Sequence, residues 1–384
     1  MPLKTSQYSS LDFVKYHDEH YFELLRLARI TERDENGEDS TVAQKTAIAL
    51  FNKLPLFNKA HKRILPLLND KAHTLAIFDE LSVKTQQLLT AATQQGIVTE
   101  LARTMQLNHI IEKLAEHNIP LILLKGAAFA GVLYSPQAPR TSNDLDILIQ
   151  TQYWQQAVAI IEQIMDYTAK SQPDVFGDLY ELSFTPKNKV GALLDLHSSL
   201  INPLLFNINE QQLWDCSAEH PSFNNKLVRM LSPEHALIHQ ALHAYKDMDF
   251  SKYNLVDSHE IISTQKPDIQ KTMTIAKDWG AHGALFVLLK NCIEVMGTEL
   301  DSDGDLLKQM QPLEKITPNP FIYKLMVKLL KSRFTQPISN KKPLRYRVNQ
   351  LLAQFVFSGS AVRSLALQWF YVKSRFTIVK NINE

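Results

Sequence analysis

The fold is decided by one stretch of sequence, LILLKGAAFAGVLYSPQAPRTSNDLDILI, which occupies residues 121–149. Its first four residues form a short apolar run, which predicts a buried strand that ends at the tight turn Lys125-Gly126. Residues 127–134 predict a helix, and the apolar run at 144–149 predicts a second strand. The order of strand, helix and strand indicates a small α/β unit.

Helices are predicted on both sides of this unit. The low glycine content, 11 of 384 residues, favours a helix-rich protein. The elements predicted around the unit are a helix over 83–117 with a candidate break at Gly96, a helix over 153–165, strands over 179–186 and 190–197, and a helix that starts at Pro233 after the N-cap Ser232. We therefore predict an α+β fold in which a small mixed sheet is embedded between helical N-terminal and C-terminal regions.

Composition places the chain among ordinary globular proteins. Hydrophobic residues make up 45% and charged residues 21%, which argues against disorder and fibrous repeats. Two cysteines exclude a disulfide framework and a four-thiolate zinc site. No run of about 18 apolar residues occurs, and the first residues lack the basic start and apolar run of a signal peptide. We expect a cytoplasmic protein with no transmembrane segment.

Charge is distributed unevenly along the chain. Residues 316–384 contain twelve Lys and Arg and one acid, a net charge of +11, whereas residues 1–315 carry −10. A basic end on an acidic body implies a polyanion nearby. That polyanion is a nucleic acid, a nucleotide, a membrane surface or the acidic body itself, and composition does not choose among them. The predicted organisation is a helical region 1–95, a mixed core 96–205, a helical domain 206–315 and a basic helical region 316–384.

Two carboxylates are predicted to project from the second strand of the unit. Asp144 and Asp146 lie two residues apart, so a strand points both side chains to the same face. That spacing allows both to reach a pair of metal ions about 4 Å apart. Mg²⁺ prefers such oxygen ligands and fills its remaining positions with water and substrate phosphates. The alternative is an edge strand whose solvent face is acidic.

The turn after the first strand has the features of a phosphate site. Lys125, Gly126 and Ala127 stand where a strand turns into a helix, which leaves backbone N–H groups free at the helix N-terminus. Small residues let a phosphate approach that backbone, and Lys125 adds a positive charge. Arg140 follows before the paired acids. It either clamps a phosphate or pairs with Asp144.

A third acid is expected because two metal ions need more ligands than two aspartates supply. Asp195 lies in the strand-like run 193–197 between apolar neighbours, where a carboxylate is buried only if it is paired or coordinates a cation. His197 shares its face by alternation. This histidine orients Asp195, touches substrate or is a hydrogen-bonded residue at the edge of the core.

The segment 121–149 resembles the core of the DNA polymerase β type nucleotidyltransferase superfamily. It is most similar to a bacterial family of uncharacterised nucleotidyltransferases, and its pattern is similar to that of abortive-infection toxin nucleotidyltransferases. In these families a Lys-Gly-Gly or Gly-Ser turn precedes a helix, an Arg, the paired acids and a later third acid. The resemblance is strong over residues 100–200. It extends more weakly to residues 231–262, where the family has a His and an Asp, here His243 and Asp257.

The resemblance implies a metal-dependent nucleotidyltransferase that moves a nucleoside monophosphate from a triphosphate such as ATP to an acceptor hydroxyl and releases pyrophosphate. Asp144, Asp146 and Asp195 would be catalytic and would hold two Mg²⁺ ions, with Mn²⁺ as an alternative. Nucleotide binding would fall to the turn and to Arg140, with His197, His243 and Asp257 as possible substrate-facing residues. The acceptor, a protein, RNA, a sugar or a small molecule, is not implied.

A second hypothesis treats the chain as a binding module without catalysis. Ala127 stands where the superfamily often has Ser or a second Gly, so no side-chain hydroxyl is available there to contact a phosphate. A degenerate core would then serve as a scaffold, and the basic region 316–384 would bind nucleic acid or anionic lipid. Such binding weakens steeply with salt.

Overall fold

The protein is described by a computed structural model. It describes residues 21–27, 40–54, 63–142, 144–164, 167–169, 180–187, 191–247 and 254–300, and beyond them residues 348, 351–355, 357, 362–367 and 369. Most of the basic region 316–384 therefore lies outside the described residues, and so do the predictions made for it. No helix in the described ranges is both long and apolar enough to cross a membrane.

Helices account for most of the described chain. They are α1 (Tyr21–Leu27), α2 (Ser40–Phe51), α3 (Leu65–Thr74), α4 (Val83–Ala115), α5 (Lys125–Phe129), α6 (Trp154–Ile164), α7 (Glu210–Asp215), α8 (Pro233–Lys246), α9 (Asn254–Glu260), α10 (Ile269–Trp279) and α11 (His282–Asn291). The N-cap predicted for α8 is confirmed, because the Ser232 side chain accepts a hydrogen bond from the backbone of His235.

In the described part of the chain, seven strands form one mixed sheet. They are β1 (Leu121–Leu124), β2 (Asp144–Ile149), β3 (Tyr167–Ala169), β4 (Glu181–Pro186), β5 (Leu193–His197), β6 (Ala218–Glu219) and β7 (Val228–Met230). Their order across the sheet is β3-β4-β5-β2-β1-β7-β6. Strand β2 pairs antiparallel with β1 and parallel with β5. The two strands of segment 121–149, β1 and β2, therefore lie at the centre of the sheet. The predicted α+β fold with helices around a mixed sheet is confirmed.

Register places four residues in one row across the sheet. Asp146 is opposite Leu124 on β1 and opposite Asp195 on β5, and Asp195 is in turn opposite Ser183 on β4. Residues that are opposite one another in neighbouring strands point to the same face. The row therefore carries Asp146 and Asp195 side by side, with Ser183 next to them.

Gly96 does not break the long helix α4, which runs without interruption through it. The glycine is buried, and a Cβ added there would lie 3.0 Å from Thr141 Cγ2 and 3.2 Å from Pro66 Cγ. Gly96 thus permits close packing instead of ending the helix. The candidate helix break predicted at Gly96 is therefore wrong, and the glycine is explained by close packing.

The helix after the turn is shorter than predicted, and the sheet is larger. Helix α5 ends at Phe129, because Ala130 is extended and the residues after it form a turn. Strands β3, β6 and β7 were not predicted, and β6 and β7 carry the sheet beyond residue 205. Each has three residues or fewer, which is too short for alternation to stand out in the sequence.

Candidate functional site

Three predicted carboxylates meet on one face of the sheet. Asp144 and Asp146 share a face of β2 by alternation, and Asp195 joins them because it is the register partner of Asp146 on the parallel strand β5. Asp146 is almost completely buried, and the other two are partly buried. Asp146 and Asp195 are therefore direct neighbours across the sheet, whereas Asp144 is opposite Leu193, and a joint role for the three carboxylates stays a prediction.

Asp146 is held by two cationic or polar partners. Lys125 Nζ lies 2.6 Å from Asp146 Oδ1, and His197 Nε2 lies 3.1 Å from the same oxygen. Burial alone would raise the pKa of Asp146, but the Lys125 ammonium and the hydrogen bond to His197 hold that pKa well below its usual range. Asp146 is therefore ionised at neutral pH, at the centre of the site.

The backbone of Lys125 is in the left-handed region, with φ of 50°. Residues other than glycine adopt this conformation at a cost of order 1–3 kcal/mol, and they do so mostly where function requires it. The ion pair with Asp146 offsets that cost. Burial lowers the pKa of Lys125 and the charge of Asp146 raises it, with a net increase. Because Lys125 Nζ donates a hydrogen bond to Asp146, the ammonium points toward the carboxylate row.

The surroundings of Asp195 disfavour its ionised form. Ser183 Oγ donates a hydrogen bond of 2.6 Å to Asp195 Oδ1. Burial raises the pKa of Asp195, and the charges of Asp146 and Glu181 raise it further. A site that crowds carboxylates in this way is relieved by a bound cation or a proton.

The donor chemistry fits a divalent metal ion. Among the described residues, every side-chain hydrogen bond to Asp144, Asp146 and Asp195 ends on Oδ1, including the 2.7 Å bond that Ser142 Oγ donates to Asp144. The second oxygens are hard ligands of the kind that Mg²⁺ prefers. Within the ranges that the structure describes, no three His, Cys, Asp or Glu side chains already stand in a metal-binding arrangement.

Two further charged residues that the sequence analysis did not single out adjoin the row. Glu181 Oε2 accepts a hydrogen bond from Lys246 Nζ and lies 3.8 Å from His197 Nδ1. Together with Asp146, these groups form a chain of polar and charged side chains across β2, β5, β4 and the end of α8. Alternation along the strand could have identified Glu181. It lies two residues before Ser183 and therefore on the same face of β4, the strand that pairs with β5.

Helix α8 covers this face of the sheet with histidines. His239 and His243 are close enough to Lys125 and Asp146 to feel their charges. Burial and the neighbouring Lys125 ammonium lower the pKa of His243 to about 4, so this ring is neutral at pH 7. Its Nδ1 lies 3.7 Å from Asp247 Oδ2. The substrate-facing role that the resemblance implies for His243 stays a prediction.

Stability should fall in acid because of the buried His235. Its ring stacks on Trp279, and burial lowers its pKa from 6.5 to about 4 despite the charge of Glu234. The unfolded chain binds this proton first, so the stabilisation is present above pH 6.5 and is lost as pH falls toward 4. His235→Phe keeps the stack but removes the titrating ring. Its unfolding free energy should therefore fall less steeply with decreasing pH than that of the wild type, and the two slopes should differ by up to about 1.4 kcal/mol per pH unit. Urea unfolding at several pH values tests this, and equal slopes would contradict it.

Arg140 is paired, but with a residue far along the chain. Its Nε and Nη2 donate to Asp257 Oδ1 and Oδ2 at 2.8 and 2.6 Å, and Tyr134 donates its hydroxyl to the same carboxylate at 2.7 Å. The partner that the structure gives Arg140 is thus Asp257, where Asp144 had been the predicted alternative. Asp257 is completely buried, which corrects the expectation that it faces substrate. Such a forked pair fixes the loop after α5 to helix α9.

Gly126 is required by this pair. A Cβ at Gly126 would lie 2.7 Å from Arg140 Nη1, and Asp257 pins that guanidinium. Gly126→Ala should therefore destabilise the fold by about 1–3 kcal/mol, as measured by urea unfolding. In Arg140→Met the obstacle is removed, so adding Gly126→Ala there should cost little. Equal costs in both backgrounds would show that the two residues do not interact.

Comparison with known proteins identifies the family to which this chain belongs. The family model described as uncharacterised nucleotidyltransferase matches residues 59–297. Because this match spans more than half of the chain, the protein belongs to that family. No curated protein matches the chain significantly.

Proposed function

We propose that the protein transfers a nucleoside monophosphate from a nucleoside triphosphate to an acceptor hydroxyl. Membership of a nucleotidyltransferase family supports a triphosphate as substrate. The observation that carries the proposal is the row of Asp146 and Asp195 beside the Lys125 turn. Phosphoryl transfer needs little covalent chemistry from a protein, and it depends on positioning and on neutralising charge.

Metal dependence is the second part of the proposal. Asp144, Asp146 and Asp195 would hold two Mg²⁺ or Mn²⁺ ions through the oxygens that accept no hydrogen bond from a described side chain. When bound, such ions polarise the phosphoryl oxygens and neutralise the developing charge. Lys125 already lies on Asp146 and would turn to the triphosphate when a cation takes its place on the carboxylate.

The protein's own residues have distinct tasks in the proposed reaction. The backbone N–H groups of Gly126 and Ala127 would bind the β- and γ-phosphates, which needs no side-chain hydroxyl at position 127. The acceptor oxygen attacks the α-phosphorus, the bond from that phosphorus to the bridging oxygen breaks, and pyrophosphate leaves. Asp195 would accept the acceptor's proton, and burial together with the charges of Asp146 and Glu181 raises the pKa of this carboxyl.

The wider relationship is part of the proposal as well. We infer that the family belongs to the DNA polymerase β type superfamily and is related to abortive-infection toxin nucleotidyltransferases, on the pattern of turn, Arg and paired acids in residues 121–149. The alternative, a polyanion-binding module, draws on the basic region 316–384. That region lies almost entirely outside the described residues, and nothing in the described part favours it.

Mass spectrometry tests the transfer directly. The full chain is incubated with each of the four ribonucleoside triphosphates, Mg²⁺ or Mn²⁺, and candidate acceptors that include tRNA, sugars, small hydroxyl compounds and the protein itself. A mass gain of one nucleoside monophosphate on an acceptor, with release of pyrophosphate, is the expected result. Release of orthophosphate without any mass gain would identify a hydrolase and overturn the proposal.

A further inference from the structure

Helix α4 carries apolar residues on two sides. One side packs into the core through residues such as Leu89 and Leu107, which are buried. The other side carries Val98, Leu101 and Met105, whose side chains are 63%, 62% and 67% exposed. A surface helix normally places charged and polar residues on the side that faces away from the core. The outer side of α4 therefore has the composition of a contact surface.

The exposed residues on this outer side follow a seven-residue repeat. Their spacing alternates between three and four residues, which keeps one stripe of a helix turned toward a partner helix along its whole length. The six positions that form this stripe, all of them exposed, are named the α4 seam: Ala91, Gln94, Val98, Leu101, Met105 and Asn108. At about 1.5 Å per residue, the seam is about 26 Å long. Its apolar centre lies between two polar ends.

Charge is almost absent from the seam and its borders. The positions that flank the seam are exposed and uncharged, namely Thr90, Gln95, Ile97, Ala102 and Thr104. Over the described residues 83–108, Lys84 is the one charged residue at an exposed position, and the partly buried Glu100 pairs with Arg103. Charges at flanking positions usually select the partner of a helix pair and exclude others. With no charge at these positions, the seam does not repel an identical seam.

We propose that the α4 seam pairs with the α4 seam of a second copy of this chain, in a two-fold symmetric dimer. A two-fold interface presents the same surface from both partners, so that surface has to be complementary to itself. An uncharged, mainly apolar seam meets this condition. The basic region 316–384 would find no carboxylate on the seam to pair with, so charge complementarity favours a second copy as the occupant. The proposal goes beyond the transfer reaction and does not depend on it.

The size of the seam sets the expected strength of the dimer. Stable specific interfaces bury about 1,200–2,000 Å² in total, and a single helix pair about 26 Å long lies toward the low end of that range. We therefore expect a dimer that forms at micromolar concentration and dissociates on dilution. Gln94 and Asn108, at the two ends, would fix the register of the two helices.

Sedimentation velocity of the full chain over a range of concentrations measures the dimer directly. Val98→Glu plus Leu101→Glu places like charges at the centre of the seam, which should weaken the dimer at least about a hundredfold. Both positions are exposed and glutamate is a good helix former, so this variant should fold. Val362→Glu plus Leu365→Glu is the matched control, since these residues are also apolar and exposed on a helix. The control should dimerise as the wild type does.

A mixture of oppositely charged variants tests whether the seam faces its own copy. Val98→Lys plus Leu101→Lys should be monomeric when alone, as the glutamate variant should be. An equimolar mixture of the two variants should restore the dimer. At the centre of the seam, residues 98 and 101 of one copy face residues 98 and 101 of the other, whichever way the helices run.

Four results would overturn the proposal. A wild type that stays monomeric throughout the micromolar range excludes the dimer, and a loss of thermal stability in the glutamate variant would then assign the seam to a segment of the chain itself. A dimer that survives in the glutamate variant is built on another surface. A dimer that is lost in the control as well responds to added charge in general. A mixture that stays monomeric excludes pairing of two identical seams. Each of these results leaves the transfer reaction untouched.

Discussion

Asp146→Asn should reduce turnover of a triphosphate at least about a hundredfold, because it removes the most deeply buried carboxylate of the row, whose pKa lies well below its usual range. The substitution preserves shape, so a lost charge, not a lost volume, accounts for the change. The Lys125 ammonium would keep a hydrogen-bond acceptor in Asn but lose its counter-ion. The measurement is pyrophosphate release with Mg²⁺, at equal concentrations of folded protein.

Two controls separate catalysis from folding in that experiment. Asp195→Asn should also lose activity, yet it should fold at least as stably as the wild type, since the raised pKa of Asp195 shows that its charge is unfavourable in the folded protein. Asp79→Asn removes a charge from an exposed position and should change neither property. Full activity in Asp146→Asn would contradict the assigned site.

Arg140→Met should destabilise the protein by about 3–5 kcal/mol, the largest stability effect that we expect of a single change. It leaves Asp257 completely buried without its forked cation, and among the described residues the Tyr134 hydroxyl still donates a hydrogen bond to it. Arg140→Lys should recover part of the loss, because a single ammonium cannot reproduce the two parallel hydrogen bonds. Urea unfolding at pH 7 measures both.

The double variant Arg140→Met plus Asp257→Leu is the decisive control for this pair. Replacing both charges by apolar groups removes the unpaired buried carboxylate, so the double variant should be more stable than Arg140→Met alone. A loss below about 1 kcal/mol in the single variant would show that the pair does not hold the fold together. A loss of activity without a loss of stability would return Arg140 to the phosphate-binding role.

The central part of the fold could be predicted because its signal is local. The runs at 121–124 and 144–149 are uninterrupted apolar or alternating segments, and both strands have the predicted limits. The turn at Lys125 and the N-cap Ser232 are also local features, because the residues next to them in the sequence determine them. The short strands β6 and β7 carry too few residues for such a pattern.

The partners inside the site could be predicted only in part because they depend on register. That Asp195 shares a face with Asp146 follows from parallel pairing of β2 with β5, which the chain order alone does not fix. Arg140 pairs with a residue 117 positions away, which no spacing rule connects to it. Glu181 and Lys246 enter the site from a strand edge and a helix end, and their pairing arises only when α8 packs on the sheet.

Calorimetric binding of ATP with Mg²⁺ tests the central claim most directly, with the wild type compared with Asp144→Ala plus Asp146→Ala. The account predicts that the wild type binds the magnesium complex and that the double variant binds it at least about tenfold more weakly and turns over no triphosphate. Equal affinity and equal turnover in the two proteins would contradict the account.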